Sequence, residues 1–194
     1  MPNRALFVVA ALVAACAHGS RPAPAAGVGE GPAAYFPLAV GNEWTYLDHS
    51  PQLPAGTTAR RTVRILSRDA DGYFHDSEKG ALRVGRECLE DRKRRILCAP
   101  FAVGKKWSSV VSVSSTEHYE IAGVGETVQV AAGAFEGCVR VRARTRAGPE
   151  AENVLEISYA PGVGPVRIET YAVLDGKATL QVKAELSSYR TEER

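Results

Sequence analysis

From residue 139 to residue 146 the chain alternates without a break. Val139, Val141, Ala143 and Thr145 fall on one face, and Arg140, Arg142, Arg144 and Arg146 on the other. A period of two is the mark of a strand with one buried face. Residues 147–151 (AGPEA) read as a turn, and residues 152–159 alternate again. If Arg146 faces Glu152, then Arg142 faces Glu156, while Val139, Val141 and Ala143 face Tyr159, Ile157 and Leu155. One register then satisfies both faces, as a half-buried antiparallel hairpin requires.

The same grammar runs through the rest of the chain. Residues 57–68 and 72–76 flank the turn Asp69-Ala70-Asp71-Gly72. Residues 81–89 and 94–99 flank the charged tip Glu90-Asp91-Arg92-Lys93. Residues 126–130 lead through 131–134 into the arginine strand, and 166–173 pass Asp175-Gly176 into 179–189, where Leu180, Val182, Ala184 and Leu186 share a face. Val, Thr, Tyr and Arg in short runs broken by Gly and Pro replace the long Leu/Glu/Lys stretches of helices. The expected fold is all-β, a curved antiparallel sheet or partly closed barrel of about eleven strands, because an antiparallel sheet of that size curls or closes.

One pattern repeats. Pro37-Leu38-Ala39-Val40-Gly41-Asn42-Glu43-Trp44-Thr45 is echoed by Pro100-Phe101-Ala102-Val103-Gly104-Lys105-Lys106-Trp107-Ser108, an offset of 63 residues. In each copy a Gly permits a tight turn and a Trp opens a strand and plugs the core. The echo suggests two similar β halves joined near residue 100. Two copies are too few for a solenoid.

The first residues have a different character. Arg4 precedes an eleven-residue apolar run from Ala5 to Ala15, well short of the ~20 residues of a spanning helix. The run ends in Leu12-Val13-Ala14-Ala15-Cys16, which resembles the lipobox of bacterial lipoproteins. The resemblance implies that residues 1–15 are a signal peptide and that Cys16 is lipidated. Each acyl methylene buried in a bilayer contributes ~0.8 kcal/mol to anchoring. In lipoproteins an Asp after the cysteine often marks inner-membrane retention. Ala17 stands there, so the expected place is the outer membrane with the domain facing the periplasm, the inner membrane and cell surface being the alternatives. Residues 16–34 hold the lipidated Cys and a Gly/Pro/Ala tether. Residues 35–194 form a single β domain of a size that builds a core without metals.

YFPLAVGNEWTY at 35–46, VQVAAGAFEGCVRV at 128–141 and YAPGVGPVRIE at 159–169 together resemble a group of uncharacterised bacterial lipoproteins with FPLxxGNxW, AGxFxxC and YAPGVGxV segments. The resemblance implies an all-β periplasmic domain and supplies no activity. A looser similarity, of architecture alone, is to the half-barrels of the LolA and LolB type.

Candidate chemistry is sparse. Cys88 and Cys98 stand symmetrically about a hairpin tip centred on Lys93, which places them to form a disulfide in an oxidising compartment. Cys138 is left over and reads as a small apolar residue or a partner for another thiol. Asp69, Asp71, Asp76 and Glu78 suggest part of a calcium loop, but Gly80 stands where the bidentate Glu belongs. His18, His49, His75 and His118 show no metal spacing. No GxSxG, SxxK, HExxH or phosphate loop occurs. The Arg stripe offers a site for phosphate or lipid head groups, yet two of its four cations face carboxylates, so it reads as a solvated sheet face. The tip Arg92-Lys93-Arg94-Arg95 reads as an exposed turn, with anionic head groups as the alternative. A net charge of +2 gives no pull toward nucleic acid.

Neither catalysis nor a cofactor is expected. The first functional expectation is a membrane-anchored binding or envelope-assembly module with a protein partner. The alternative is a carrier of an apolar ligand or lipid in the hollow of the sheet, with Tyr35, Phe36, Trp44, Phe101 and Trp107 lining it.

Overall fold

The computed structural model describes residues 31–54 and 56–192. The signal peptide, Cys16 and most of the tether lie outside the described residues. A short helix α1 (Pro32–Tyr35) leads into twelve strands: β1 (Glu43–His49), β2 (Ala59–Arg68), β3 (Phe74–Asp76), β4 (Ala81–Val84), β5 (Cys88–Glu90), β6 (Arg95–Cys98), β7 (Lys106–Ser112), β8 (Ser115–Val130), β9 (Gly133–Arg146), β10 (Ala151–Ala160), β11 (Gly164–Leu174) and β12 (Lys177–Arg190). Pro32 is buried, so the packed part of the chain starts before Tyr35. The strands form one antiparallel sheet in the order β6-β5-β4-β3-β2-β1-β12-β11-β10-β9-β8-β7. Each strand neighbours the next in sequence except β6 and β7, which lie at the two ends of the order; β1 pairs with β12, and the sheet is nearly closed into a barrel.

The eleven strands expected become twelve partly because residues 81–89 are two strands rather than one. Gly85 breaks the run: its N–H donates to the Cys88 carbonyl at 2.8 Å, which turns the chain between β4 and β5. The β9–β10 register is the one the alternation predicts, with Arg146 opposite Glu152, Arg142 opposite Glu156 and Val139 opposite Tyr159. The arginines face outward and pair there. Arg142 reaches Glu156 at 2.6 Å, and Arg140 reaches Glu156 at 3.0 Å and Glu126 at 2.9 Å. Glu152 is taken by Arg144 at 3.0 Å, not by the facing Arg146, whose guanidinium instead caps the carbonyls of Gly148 and Pro149. A membrane-spanning barrel needs an apolar outer band. This outer face is charged, and the apolar face lies inside.

In an antiparallel meander, alternate turns fall at alternate ends. One end, the base, is closed. There α1 packs with the turn 161–163, Gly162 N–H donating to the Ala34 carbonyl at 2.7 Å. The long β8–β9 hairpin also bends across it. Register shifts between Ile121 and Val128 mark the bend, as bulges do, and the hairpin end reaches the opposite wall, Ala132 N–H donating to the Leu186 carbonyl at 2.9 Å.

The sequence echo is reproduced in hydrogen bonds. Gly41 N–H donates to the Ile65 carbonyl, and Ile65 N–H returns to the Asn42 carbonyl, both at 2.9 Å. Gly104 and Lys105 make the same pair of bonds with Ile121, also at 2.9 Å. Both glycines have positive φ, +95° and +84°, which a side chain resists. Each copy therefore latches the start of one strand onto the next. The halves diverge beyond that point, since β3 to β6 have three or four residues and β8 to β12 have ten or more.

Candidate functional site

Of the aromatic residues expected to line a ligand hollow, Tyr35, Phe36, Trp44 and Phe101 pack together in the base, and Trp107 stands apart from them. Tyr35 and Trp44 are about 1% exposed or less, and Phe36 is buried. Phe36 lies between Trp44 and Tyr159, at ring distances of 5.2 and 6.3 Å, and Tyr35 meets Phe101 edge-on at 4.8 Å. The polar ends are satisfied as burial demands. Trp44 Nε1 donates to the Val163 carbonyl at 2.7 Å and Tyr35 Oη to the Gly137 carbonyl at 3.1 Å. Gly164 closes the cluster, because a Cβ there would stand 2.8 Å from the Phe36 ring. Trp107 is half-buried, stacks on Tyr119 at 5.4 Å, and donates from Nε1 to the Arg95 carbonyl at 2.6 Å.

That last bond belongs to the place where the barrel does not close by backbone. β6 and β7 end the strand order, and side chains bridge them. Arg95 N–H donates to Ser109 Oγ at 3.0 Å, its guanidinium reaches the Ser108 carbonyl at 3.1 Å, and Trp107 adds the bond just described. The disulfide Cys88–Cys98 joins β5 to β6 beside this seam, with Cα atoms 4.1 Å apart. It pins the hairpin whose tip carries Arg94.

Above the packed base the barrel is hollow. A cavity of about 540 Å³ is walled by Ile96, Val141, Ala143, Leu155 and Ile157. The lining also holds the neutral hydrogen-bonding groups Thr145 and Asn153, which face each other one strand step beyond Ala143 and Leu155, together with Thr170 opposite Leu155 and Gln181. The volume lies within the range of small-molecule sites, as does the combination of apolar walls and few polar groups. The cause is visible in side-chain size. At the level of Trp44 the interior receives phenol and phenyl rings from Tyr35 and Phe36, the indole of β1 and the phenol of Tyr159 on β10. Higher up, the paired strands β9 and β10 contribute the smaller Ala143 and Leu155, with Tyr119 and Tyr171 at the cavity's wall.

One charged cluster sits in the wall. Arg94 Nε donates to both carboxylate oxygens of Glu117, at 3.1 and 2.9 Å, and Arg94 Nη1 pairs with Asp91 at 3.2 Å. The Tyr119 hydroxyl donates to Glu117 as well. Hydrogen bonding to Glu117, against partial burial, raises Arg94 and holds it charged. Burial first, then the Glu117 bond, push the Tyr119 hydroxyl well above the usual phenol range, so it remains a donor. Asp91 also accepts the N–H groups of Lys93 and Arg94 at 2.7 and 2.6 Å, an Asx turn that fixes the tip.

Sequence reasoning missed this cluster. Arg94 looks like one more cation of a basic tip, while Glu117 and Tyr119 lie on another strand. The available signal was the inward parity of Glu117 with Tyr119 and Ile121. The other charges of that tip behave as a turn: Arg92 pairs with Asp69 at 3.1 Å and covers the Tyr73 ring at 4.6 Å. Asp69 also bonds His75 at 2.9 Å, and Asp76 accepts the N–H groups of Glu78 and Gly80 at 2.8 Å. Those carboxylates thus organise turns. Among the described residues no group of three or more His, Cys, Asp or Glu could hold a metal ion. Cys138 is free and fully buried, and burial pushes its thiol up to about 11.

No protein-family model matches the sequence, and no curated protein matches it. Among solved structures, a candidate lipoprotein from Parabacteroides distasonis ATCC 8503 superposes with a TM-score of 0.45 at 15% identity, covering 80% of this chain and 98% of that one. So loose a superposition carries nothing about function from one chain to the other.

Proposed function

We propose that this chain is a lipid-anchored envelope protein that holds one small apolar molecule in the hollow of its barrel, and that it performs no chemistry on it. The carrying observation is the cavity of about 540 Å³, walled by aliphatic side chains. The lipobox ending at Cys16 supports the anchor, and Ala17 after it favours the outer membrane with the barrel facing the periplasm. Of the two functional expectations, the cavity favours the carrier. A module would use sheet faces or edges. The outer arginine face is largely paired within itself, and the two edge strands are bridged to each other.

A neutral apolar dye, N-phenyl-1-naphthylamine, tests the reading on the full chain carrying Cys16→Ala. Its fluorescence should rise and saturate at one dye per chain. Ala143→Trp, which sets an indole into the cavity, should abolish the rise while the circular dichroism spectrum is kept. Undiminished dye binding by Ala143→Trp would remove the cavity from the account.

A further inference from the structure

We infer that the cavity selects an uncharged amphiphile, an apolar chain or ring system with a hydroxyl or amide head, and disfavours the carboxylate of the same skeleton. The inference rests on the ligand-holding reading above and names the class of ligand. Among the residues that line the cavity, Arg94 is the cation and Glu117 the anion. An unpaired arginine in an apolar hollow would attract a carboxylate or phosphate head through two parallel hydrogen bonds. Arg94 is not in that state. Glu117 takes its Nε side and Asp91 its Nη1, so two negative charges already surround one positive charge.

A ligand carboxylate arriving at Arg94 would meet that excess of negative charge in a partly desolvated wall, where like charges repel strongly. Glu117 is also held in place from its other side, because Tyr119 donates to it and Trp107 stacks on Tyr119. It cannot swing away without giving up its bonds to Arg94 and to the Tyr119 hydroxyl. The remaining polar groups are neutral. Thr145, Thr170, Asn153 and Gln181 line the same cavity as the aliphatic wall, within reach of the head of an amphiphile whose tail lies against that wall. Hydroxyls and amides both donate and accept, so they match a hydroxyl or amide head without a net charge.

The test uses the full chain carrying Cys16→Ala and two probes, dodecanol and dodecanoate at pH 8, each displacing the neutral dye. Water favours the dissolved carboxylate for any apolar site, so the ratio of the two ligands in one protein decides nothing. The change of each affinity on substitution does. Glu117→Gln keeps the shape and hydrogen-bonding capacity of the side chain and removes its charge. Dodecanoate should then bind about tenfold more tightly, while dodecanol changes by less than about threefold. Asp91→Asn, outside the apolar wall, should move dodecanoate in the same direction by a smaller factor, and it serves if Glu117→Gln does not fold. An unchanged dodecanoate affinity in the folded variants would overturn the selectivity and leave the cavity reading intact. Failure of the dye itself to bind would remove both.

Discussion

At the scale of single residues, the two echoed tryptophans have parted company. Both open a strand after a latched glycine turn, and both donate an indole N–H to a distant carbonyl. Trp44 does so in the closed base, Trp107 at the half-exposed seam. Trp44→Phe should therefore cost ~1–3 kcal/mol, because it strands the buried Val163 carbonyl. Trp107→Phe should cost less than about 1 kcal/mol, since water can reach the Arg95 carbonyl at the seam. Urea denaturation of both variants measures the difference, and equal losses would contradict the packing described. The echo was legible from residue types alone. The inequality of its two tryptophans was not, because it depends on α1 covering one copy, while among the described residues no helix covers the other. Asn42 shows the same limit. It looks like a turn residue, yet it is fully buried, donating to the Pro37 carbonyl at 2.7 Å and accepting the N–H of Glu192 at 2.9 Å.

At the scale of elements, strict alternation made the β9–β10 hairpin legible to the residue. A one-residue slip would have turned every arginine inward. Alternation does not reach β3 to β6, which are too short to show a period, and there a Gly-led turn divided one expected strand into two. The β9–β10 ion pairs also give the sheet a dependence on acidity. Burial alone would raise Glu156, but the hydrogen bonds from Arg142 and Arg140 outweigh it and set the carboxyl below its ordinary range. A lowered folded value means that the stabilisation is complete above the ordinary glutamate range. It is lost as pH falls through the folded value. The stability advantage of the parent over Glu156→Gln should thus be present at neutral pH and shrink toward zero near pH 3 or below, as thermal unfolding at several pH values would show. A gap that stayed constant with pH would mean that the arginines do not hold Glu156 charged.

At the scale of the whole molecule, the segments 35–46, 128–141 and 159–169 singled out in the sequence all come to the base. The opening segment contributes Tyr35, Phe36 and Trp44, the AGxFxxC segment receives Tyr35 at Gly137, and the YAPGVGxV segment receives Trp44 at Val163. They close one end of the barrel, where Gly164 leaves room for the Phe36 ring. The cavity lies beyond them and carries no motif. Its walls are ordinary strand residues from β6 to β12, and its charged cluster unites a turn with a strand more than twenty residues away. Fold was therefore readable and the cavity was not. The anchor is a separate claim with a separate test. Cys16→Ala should move the protein from the membrane fraction to the soluble one, and a variant that still floats with membranes would refute lipidation as the anchor.

The account stands or falls on whether the hollow is occupied. Native mass spectrometry of the protein taken from the bacterial envelope, followed by solvent extraction and identification of what is released, addresses this directly. The account predicts one apolar, uncharged passenger per chain, absent from Ala143→Trp prepared in the same way. A clean unliganded mass for both proteins would contradict it.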